Sequence, residues 1–313
     1  MRIGHVFNPA AHGFADRARR EGYLAVVRRL GAVAIAGPSE GTVDPQRLPD
    51  QMAGFDVVIV AGGDGTVNRC LPALVAAGVP LLPFPAGTVN DLASRLSIAG
   101  DPERLPDLVE TGTRRTLGLG AANGRLFSTY ATLGIGARAA AWRLRHRRAL
   151  ALVRRIAPRA TGPLATLAAI TAGGPALRPD IPSLSGDPYA AVYVCALDRL
   201  NRTIRVGRDE GLDRGALDVL AVAKAPPLGL ARVLAAALGS GDLRQPPAGC
   251  THRTVQTFAV AADGGGELAV YGDGEPLDVA DRVVFEVRPG ALTVIAPAAG
   301  PLPHAASGSS TGA

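Results

Sequence analysis

Apolar residues in the first third of the chain fall into two patterns. Short continuous runs at residues 2–7, 32–36, 55–61 and 79–84 are typical of strands buried on both faces of a parallel sheet. Between them, residues 15–30 place apolar side chains at helical spacing, and shorter helices are predicted at 44–53 and 102–111. Alternating strands and helices predict an α/β domain over residues 1–113.

The pattern changes after residue 113. Nine strand-like runs separated by short turns extend to residue 296, which predicts a second, β-rich domain over 114–296. Two helical segments interrupt this domain as an insertion at residues 137–174. The last residues, 297–313, are mostly Pro, Ala, Ser and Gly and are predicted to be a disordered tail.

A glycine-rich turn follows the buried run at residues 55–61. It reads Gly62-Gly63-Asp64-Gly65-Thr66 and leads into a helical pattern. Backbone N–H groups at such a strand–turn–helix junction favour an anion, and glycine allows a phosphate to approach closely. A carboxylate at position 64 would repel that phosphate unless a divalent cation lies between them. A turn that merely links strand to helix would leave Asp64 and Thr66 without a purpose.

A second turn repeats this arrangement after the run at residues 79–84. It reads Pro85-Ala86-Gly87-Thr88-Val89-Asn90-Asp91, and Thr88 is predicted to cap a helix that begins at Val89. Neighbouring parallel strands end at the same edge of a sheet, and open α/β sheets bind ligands there. We therefore expect the two turns to face one another.

The two motifs together resemble the catalytic region of the diacylglycerol kinase family, in particular its small soluble bacterial lipid kinases and the related sphingosine and ceramide kinases. NAD kinases share the first motif alone. The resemblance implies a Rossmann-like parallel α/β nucleotide domain, a larger β-sandwich-like domain, and an active site in the cleft between them. It also implies ATP as substrate and Mg²⁺ as cofactor. The implied nucleotide-binding residues are Asn8, Pro9, Gly62, Gly63, Asp64, Gly65, Thr66, Asn68, Gly87, Thr88, Asn90 and Asp91.

The segment Tyr271-Gly272-Asp273-Gly274-Glu275 matches a further motif of this family. The resemblance makes Glu275 the general base that takes the proton of the acceptor hydroxyl, alongside Asp64 as the other catalytic acid. Two acids that flank a glycine at a strand end suit a base with a neighbouring metal or hydrogen-bond partner. The alternative is an ordinary hairpin turn, for which Asp-Gly is a common signal.

Two positions depart from the family pattern by exchanging an acid for arginine. The family holds a structural magnesium near residues 211–219, where this chain has Arg214, and it has an acid where Arg138 stands. A guanidinium cannot ligate a cation. In this segment Asp213 and Asp218 remain as candidate metal ligands. Asp64 and Asp273 of the other motifs are the further candidates. Either the structural metal is lost, or the two arginines take over its role.

Composition and charge limit which kinds of binding site, compartment and partner fit this chain. The chain is 47% hydrophobic and 19% charged, with a net charge of +6 that is nearly all arginine, and Lys224 is its one lysine. A phosphate-binding lysine of the Walker type is excluded. Three scattered cysteines and a start without a signal sequence favour the cytoplasm. Few aromatic residues and no recognised motif argue against a nucleic-acid partner.

One segment of the insertion is strongly basic. Arginines crowd residues 143–159 beside Trp142, and no acid occurs from residue 112 to 178. A basic amphipathic helix suits an anionic membrane surface, whereas a solvated surface helix is the simpler alternative. We favour peripheral membrane association. The sequence leaves open whether the chain forms a homodimer.

The sequence as a whole predicts an ATP-dependent lipid kinase, with diacylglycerol as the favoured acceptor and phosphatidic acid as the product. Two alternatives stay open at this point. One is a kinase of another acceptor, such as a sphingoid lipid or NAD. The other is a nucleotide- or lipid-binding sensor without turnover, which Arg138 and Arg214 motivate.

Overall fold

The fold is taken from a computed structural model. It describes residues 1–35, 48–146, 149–150, 153, 157, 160–184, 188–200, 204–207 and 212–298. Four parallel strands open the chain in the order β2-β1-β3-β4. They are β1 (Ile3–Phe7), β2 (Val33–Ala34), β3 (Val57–Gly62) and β4 (Leu81–Pro85). Every residue of β3 is buried, as its continuous apolar run predicts.

Helices connect and cover these strands. They are α1 (Arg17–Arg29), α2 (Leu48–Met52), α3 (Asp64–Ala77), α4 (Asp91–Arg95) and α5 (Leu105–Thr111). The Asp16 side chain caps α1 by accepting from the N–H groups of Ala18 and Arg19. One face of α1 packs on the sheet through Tyr23, which lies in an aromatic cluster with Phe84. The predicted helix at 15–30 is confirmed.

The rest of the chain is mainly antiparallel. Its strands are β5 (Thr113–Ala122), β6 (Arg125–Phe127), β7 (Tyr130–Gly134), β8 (Leu177–Pro179), β9 (Tyr189–Cys195), β10 (Arg199–Leu200), β11 (Ile204–Arg205), β12 (Leu217–Ala223), β13 (Cys250–Val255), β14 (Thr257–Ala262), β15 (Leu268–Gly272), β16 (Glu275–Ala280) and β17 (Arg282–Ala296). Its helices are α6 (Ile135–Arg145), α7 (Thr161–Thr171) and α8 (Pro227–Ser240). The two helical segments predicted within 137–174 are present as α6 and α7, whereas α8 was not predicted.

The long strand β17 ties the two regions together. It pairs antiparallel with β14 and β5, and Val294 pairs parallel with Leu81 of β4. Leu292, Val294 and Ile295 therefore belong to the core of the α/β region. Within the described residues, a single 15-stranded sheet runs through both regions. The predicted fold class, a parallel α/β region followed by an antiparallel sandwich-like region, is confirmed. The boundary at residue 113 stays a prediction.

Some predicted features lie outside the described residues. They are the first part of the helix at 44–53, the arginines at 147, 148, 154, 155 and 159, and the tail from residue 299. In the part of the chain that is described, no helix combines the length and the apolar character needed to span a bilayer.

Candidate active site

The two glycine turns contact each other at the carboxyl ends of β3 and β4. A Cβ on Gly87 would clash with the Cα of Gly63, so glycine is required where the backbones meet. The N–H of Ala86 donates to Gly62 O at 2.8 Å, and the N–H of Gly13 donates to Ala86 O at 2.7 Å. Three strand-end loops thus form one hydrogen-bonded rim, as the sheet-edge argument predicts.

Asn8 and Thr66 meet on this rim. The Asn8 amide donates to Thr66 Oγ1 at 2.9 Å, and the N–H of Ala10 donates to Asn8 Oδ1 at 3.0 Å. Thr66 is buried on the first turn of α3, and Pro9 is exposed beside Asn8. The structure therefore brings the predicted residues of the first loop to the glycine turn and fixes the Thr66 hydroxyl.

Asp64 connects the two motifs. Burial and the negative charge of Asp273 raise its pKa, and hydrogen bonds from the N–H groups of Leu92, Asn90 and Asp91 oppose this, leaving the pKa at about 6. Burial and the neighbouring carboxylate both disfavour the charged form of Asp64, which a bound cation would stabilise. Together with nucleotide oxygens, this half-buried carboxylate fits a divalent cation such as Mg²⁺.

The second turn differs from its prediction in one detail. Helix α4 begins at Asp91, not at Val89, and Asn90 instead of Thr88 occupies the position before its first residue. Asn90 adopts a left-handed conformation with φ 56° and closes the turn itself. Its side chain accepts from Gly87 N at 2.7 Å and donates to Gly87 O at 3.0 Å. Thr88 is left exposed at the rim, where its hydroxyl can reach a ligand.

Asp273 and Gly274 form a tight hairpin between β15 and β16, with φ 52° and 86°. The Asp273 carboxylate is buried and accepts six hydrogen bonds. The donors are Asn68 Nδ2, Ser128 N, Ser128 Oγ, Thr129 N, Thr129 Oγ1 and Tyr130 N, at 2.6–3.2 Å. About four lone-pair sites are shared among these donors. This arrangement positions the hairpin and does not favour Asp273 as a metal ligand. Asn68 faces the hairpin here, and its predicted role toward the nucleotide stays a prediction.

Glu275 follows this hairpin and lies on the first glycine turn. A Cβ on Gly65 would overlap its Oε1 and come within 2.9 Å of its Cγ and Cδ. Arg69 of α3 donates to Glu275 Oε2 at 3.0 Å, and 26% of the Glu275 side chain is exposed. The glycine turn at 62–66 and the segment 271–275, about 200 residues apart in sequence, therefore form one site. In this site the carboxylate of Glu275 faces the anion-binding turn.

Residues 212–219 do not fit the structural magnesium that the resemblance implies for this segment. Asp218 is bonded to Arg214, His252 and Thr254, whereas Asp213 accepts from the N–H of Gly290 at 2.8 Å. Nowhere in the described ranges do three or more His, Cys, Asp or Glu side chains form a group that could hold a metal. No described contact joins Arg138 to Asp213 or Asp218. The alternative in which both arginines replace the metal is thus not supported for Arg138.

One buried ion pair was not predicted from the sequence. Arg95 Nε of α4 lies 2.9 Å from Asp198 Oδ1 in the loop after β9, and the two side chains are 11% and 2% exposed. The pair links the helix of the second turn to the antiparallel region. Its members are 103 positions apart and belong to no motif, so no sequence signal identified them.

Comparison with known proteins agrees with this geometry. Residues 8–122 match the family described as the diacylglycerol kinase catalytic domain. The chain is 36% identical over 104 residues to a protein of Pseudomonas aeruginosa (strain UCBPP-PA14) named "Probable lipid kinase YegS-like", covering 31% of this chain and 33% of that protein. It is 32% identical over 112 residues to a protein of Mycobacterium tuberculosis (strain ATCC 25618 / H37Rv) named "Diacylglycerol kinase", covering 36% of this chain and 34% of the relative.

The match in three dimensions extends over nearly the whole chain. A crystal structure titled as a diacylglycerol kinase from Bacillus anthracis str. Sterne superposes with a TM-score of 0.64 at 16% identity, covering 94% of this chain and 96% of the other. The sequence matches, by contrast, span only about a third of the length of these curated relatives. The resemblance to the diacylglycerol kinase catalytic domain is confirmed, and so is the overall fold.

Proposed function

We propose that this chain, whose residues 8–122 match the family described as the diacylglycerol kinase catalytic domain, is an ATP-dependent lipid kinase. It would transfer the γ-phosphoryl group to a lipid hydroxyl, with diacylglycerol as the acceptor and phosphatidic acid as the product. The observation that carries the proposal is the contact of Glu275 with Gly65, because it puts a base beside the turn that would hold the phosphates.

The nucleotide phosphates would lie along residues 62–66. Backbone N–H groups at the start of α3 point to this position, and the helix dipole favours negative charge there. Asn8 holds the Thr66 hydroxyl and Thr88 is exposed opposite, so both can donate to phosphate oxygens. Asp64 would hold Mg²⁺, which, when bound with ATP, neutralises charge on the β- and γ-phosphoryl oxygens.

Glu275 would act as the general base in this reaction. The acceptor oxygen attacks the γ-phosphorus, the bond from this phosphorus to the β,γ-bridging oxygen breaks, and ADP leaves. Glu275 takes the hydroxyl proton. Arg69 holds the carboxylate over Gly65, and the Asp273 hairpin fixes the backbone from which Glu275 extends. Most of the rate enhancement in such a reaction comes from positioning and electrostatics, which these contacts provide.

An apolar cavity in the antiparallel region has room for a short part of an acyl chain, which fits a lipid acceptor better than a polar one. It has a volume of about 90 Å³ and lies between the outer face of the sheet and helices α6, α7 and α8. Its lining includes Ile135, Ile170, Tyr193, Leu220 and Leu230. Tyr193 pairs with Thr132 on β7, two residues from Tyr130, whose N–H donates to Asp273. One strand of the cavity wall is therefore paired with the strand whose backbone holds the Asp273 hairpin.

The outer side of the same helices supports an approach to a membrane. Leu164 and Leu167 of α7 and Leu228 of α8 are exposed, with Leu228 at 65%. Arg145 is exposed on the neighbouring helix α6. Apolar side chains beside an arginine suit the surface of an anionic bilayer, from which a lipid would enter. Peripheral membrane association is part of the proposal.

A lipid-panel kinase assay tests the proposed function. Radiolabelled ATP and Mg²⁺ are supplied with vesicles containing diacylglycerol or a sphingoid base, or with NAD in solution. We expect label in phosphatidic acid, with its formation abolished by EDTA. If only NAD became labelled, the proposed acceptor would have to be a soluble molecule and not a lipid. ATP binding without transfer to any acceptor would instead favour a sensor.

A further inference from the structure

Asp218 is the centre of a buried polar cluster on the outer face of the antiparallel region. It accepts hydrogen bonds from a guanidinium N–H of Arg214, from His252 Nε2 at 2.9 Å and from Thr254 Oγ1 at 2.9 Å. The side chains of Arg214 and Asp218 are 2% and 1% exposed. An ion pair this deeply buried is costly unless its hydrogen bonds are satisfied, and here both oxygens of the carboxylate are engaged.

Sheet register explains why these side chains meet. Asp218 of β12 pairs directly with Thr254 of β13, and His252 lies two residues away on the same face. Arg214 comes from the turn before β12, four residues upstream, where Gly215 has φ 62°. Burial alone would raise the pKa of Asp218, but the bonds from His252 and Arg214 lower it below its ordinary value. The carboxylate is therefore ionised and paired at neutral pH.

A metal ion has no place in this arrangement. It would have to displace the guanidinium from Asp218 Oδ2, because the other oxygen is taken by His252 and Thr254. Asp213 does not share the cluster, since it is bonded to the backbone of Gly290. The positive charge that a cation would bring is already supplied by the protein.

The cluster also supports the link to the α/β region. A Cβ on Gly207 would overlap Asp218 Oδ2, so the backbone at Gly207 rests against the carboxylate. The N–H groups of Val206 and Gly207 donate to Asp198 O at 2.8 and 3.0 Å. The carboxylate of Asp198 in turn accepts from Arg95 of α4. A continuous chain of contacts thus runs from Arg214 to the helix that follows the second glycine turn.

We propose that the guanidinium of Arg214 is a built-in cation that replaces a divalent metal in this part of the fold and holds the loop that carries Asp198 against Arg95. The inference rests on the Asp218 cluster and on the contacts that join it to Asp198, and it does not depend on kinase activity. It implies that the folded chain requires no divalent metal for its stability in the absence of nucleotide.

Thermal unfolding without nucleotide, in EDTA and in Mg²⁺, tests the proposal. The wild type should melt at the same temperature in both. Arg214→Ala should lower Tm by about 5–10 °C, because it leaves a buried carboxylate without its counter-ion, and Mg²⁺ should not restore the loss. The matched control is Arg244→Ala, which removes an exposed arginine paired with Asp242 and should change Tm by about 1 °C or less.

Two further variants keep the result interpretable. Arg214→Lys retains the charge but loses the planar fork, and it should fold even if Arg214→Ala does not. In Arg214→Lys, hydrogen exchange should quicken at residues 206–207 and 91–95. A wild-type Tm that falls in EDTA and recovers in Mg²⁺, with the same response in Asp64→Asn, would overturn the proposal. So would an Arg214→Ala variant as stable as the Arg244→Ala control.

Discussion

Glu275 lies directly over Gly65, although the two residues are 210 positions apart in the chain. The Cγ and Cδ atoms of Glu275 occupy the space that a Cβ at Gly65 would need, and Arg69 holds the carboxylate from the next turn of α3. This contact joins the glycine turn at 62–66 and the segment 271–275 into one site. The predictions for Glu275 and for the glycines of the turns depend on it.

Replacing Glu275 by Gln should abolish lipid phosphorylation while leaving ATP binding intact. The amide keeps the shape of the side chain but cannot take the hydroxyl proton, so turnover should fall by about 10²–10⁴-fold. Single-turnover kinetics and nucleotide titration measure the two effects. Glu267→Gln, at an exposed position in the preceding turn, serves as the control and should be unchanged. Equal turnover in both variants would contradict the assignment of Glu275 as the base.

Alanine substitutions at two glycines should separate catalysis from nucleotide binding. Gly65→Ala pushes against the flexible side chain of Glu275, so kcat should fall more than the affinity for ATP. Gly87→Ala pushes against the backbone of Gly63, so both turns must shift and ATP affinity should fall. Gly162→Ala, whose new methyl group meets open space in α7, should cause neither change. The opposite ranking of the first two variants would refute the contacts described here.

The exposed leucines of α7 should mediate vesicle binding. Leu164→Asp and Leu167→Asp place charges where we expect the bilayer surface, so co-sedimentation with anionic vesicles should weaken several-fold. Binding of the wild type should also fall as salt is raised, because screening weakens attraction to the anionic surface. Val33→Asp introduces the same charge at a similarly exposed position in the α/β region and should bind like the wild type. Full binding by all three variants would remove α7 from the membrane surface.

The contribution of His5 to the free energy of unfolding should fall as the pH drops below about 6.5, the ordinary pKa of histidine. Burial lowers the pKa of His5, so the unfolded chain binds a proton there before the folded chain does. Stability from this residue is therefore complete above pH 6.5 and decreases toward the lowered pKa, by up to about 1 kcal/mol per pH unit. Urea unfolding at several pH values measures it. The slope should be smaller in His5→Phe but unchanged in the control His12→Gln, where the side chain is exposed.

None of the three cysteines should react rapidly with a thiol reagent at pH 8. Burial raises the pKa of Cys70 to about 12 and that of Cys250 to about 11, and it raises the pKa of Cys195 further. The thiolate, which is the reactive form, is therefore scarce in all three. Absorbance with Ellman's reagent should rise only slowly in the native protein and at once in guanidinium. A rapid native phase from one thiol would contradict the burial described for that residue.

The sequence by itself determined the α/β order of the first region and the chemistry of its two turns. Continuous apolar runs and glycines act locally: they set which strands are buried and where the backbone can approach a ligand. For the same reason Asp273 and Gly274 by themselves indicated the alternative of a hairpin turn. The sequence also identified Glu275, but only through its resemblance to a family motif.

Only the tertiary structure decided which side chains contact and hydrogen-bond one another. The sequence offered Asp273 as a metal ligand, but the fold surrounds it with the backbone of residues 128–130 and with Asn68. The sequence left open what replaces the acid at position 214, whereas the register of β12 and β13 brings His252 and Thr254 to the carboxylate of Asp218, which Arg214 also contacts. The ion pair of Arg95 and Asp198 had no sequence signal at all. These contacts join residues from separate strands and loops, and their pairing depends on sheet register and strand order, which no local pattern of residues specifies.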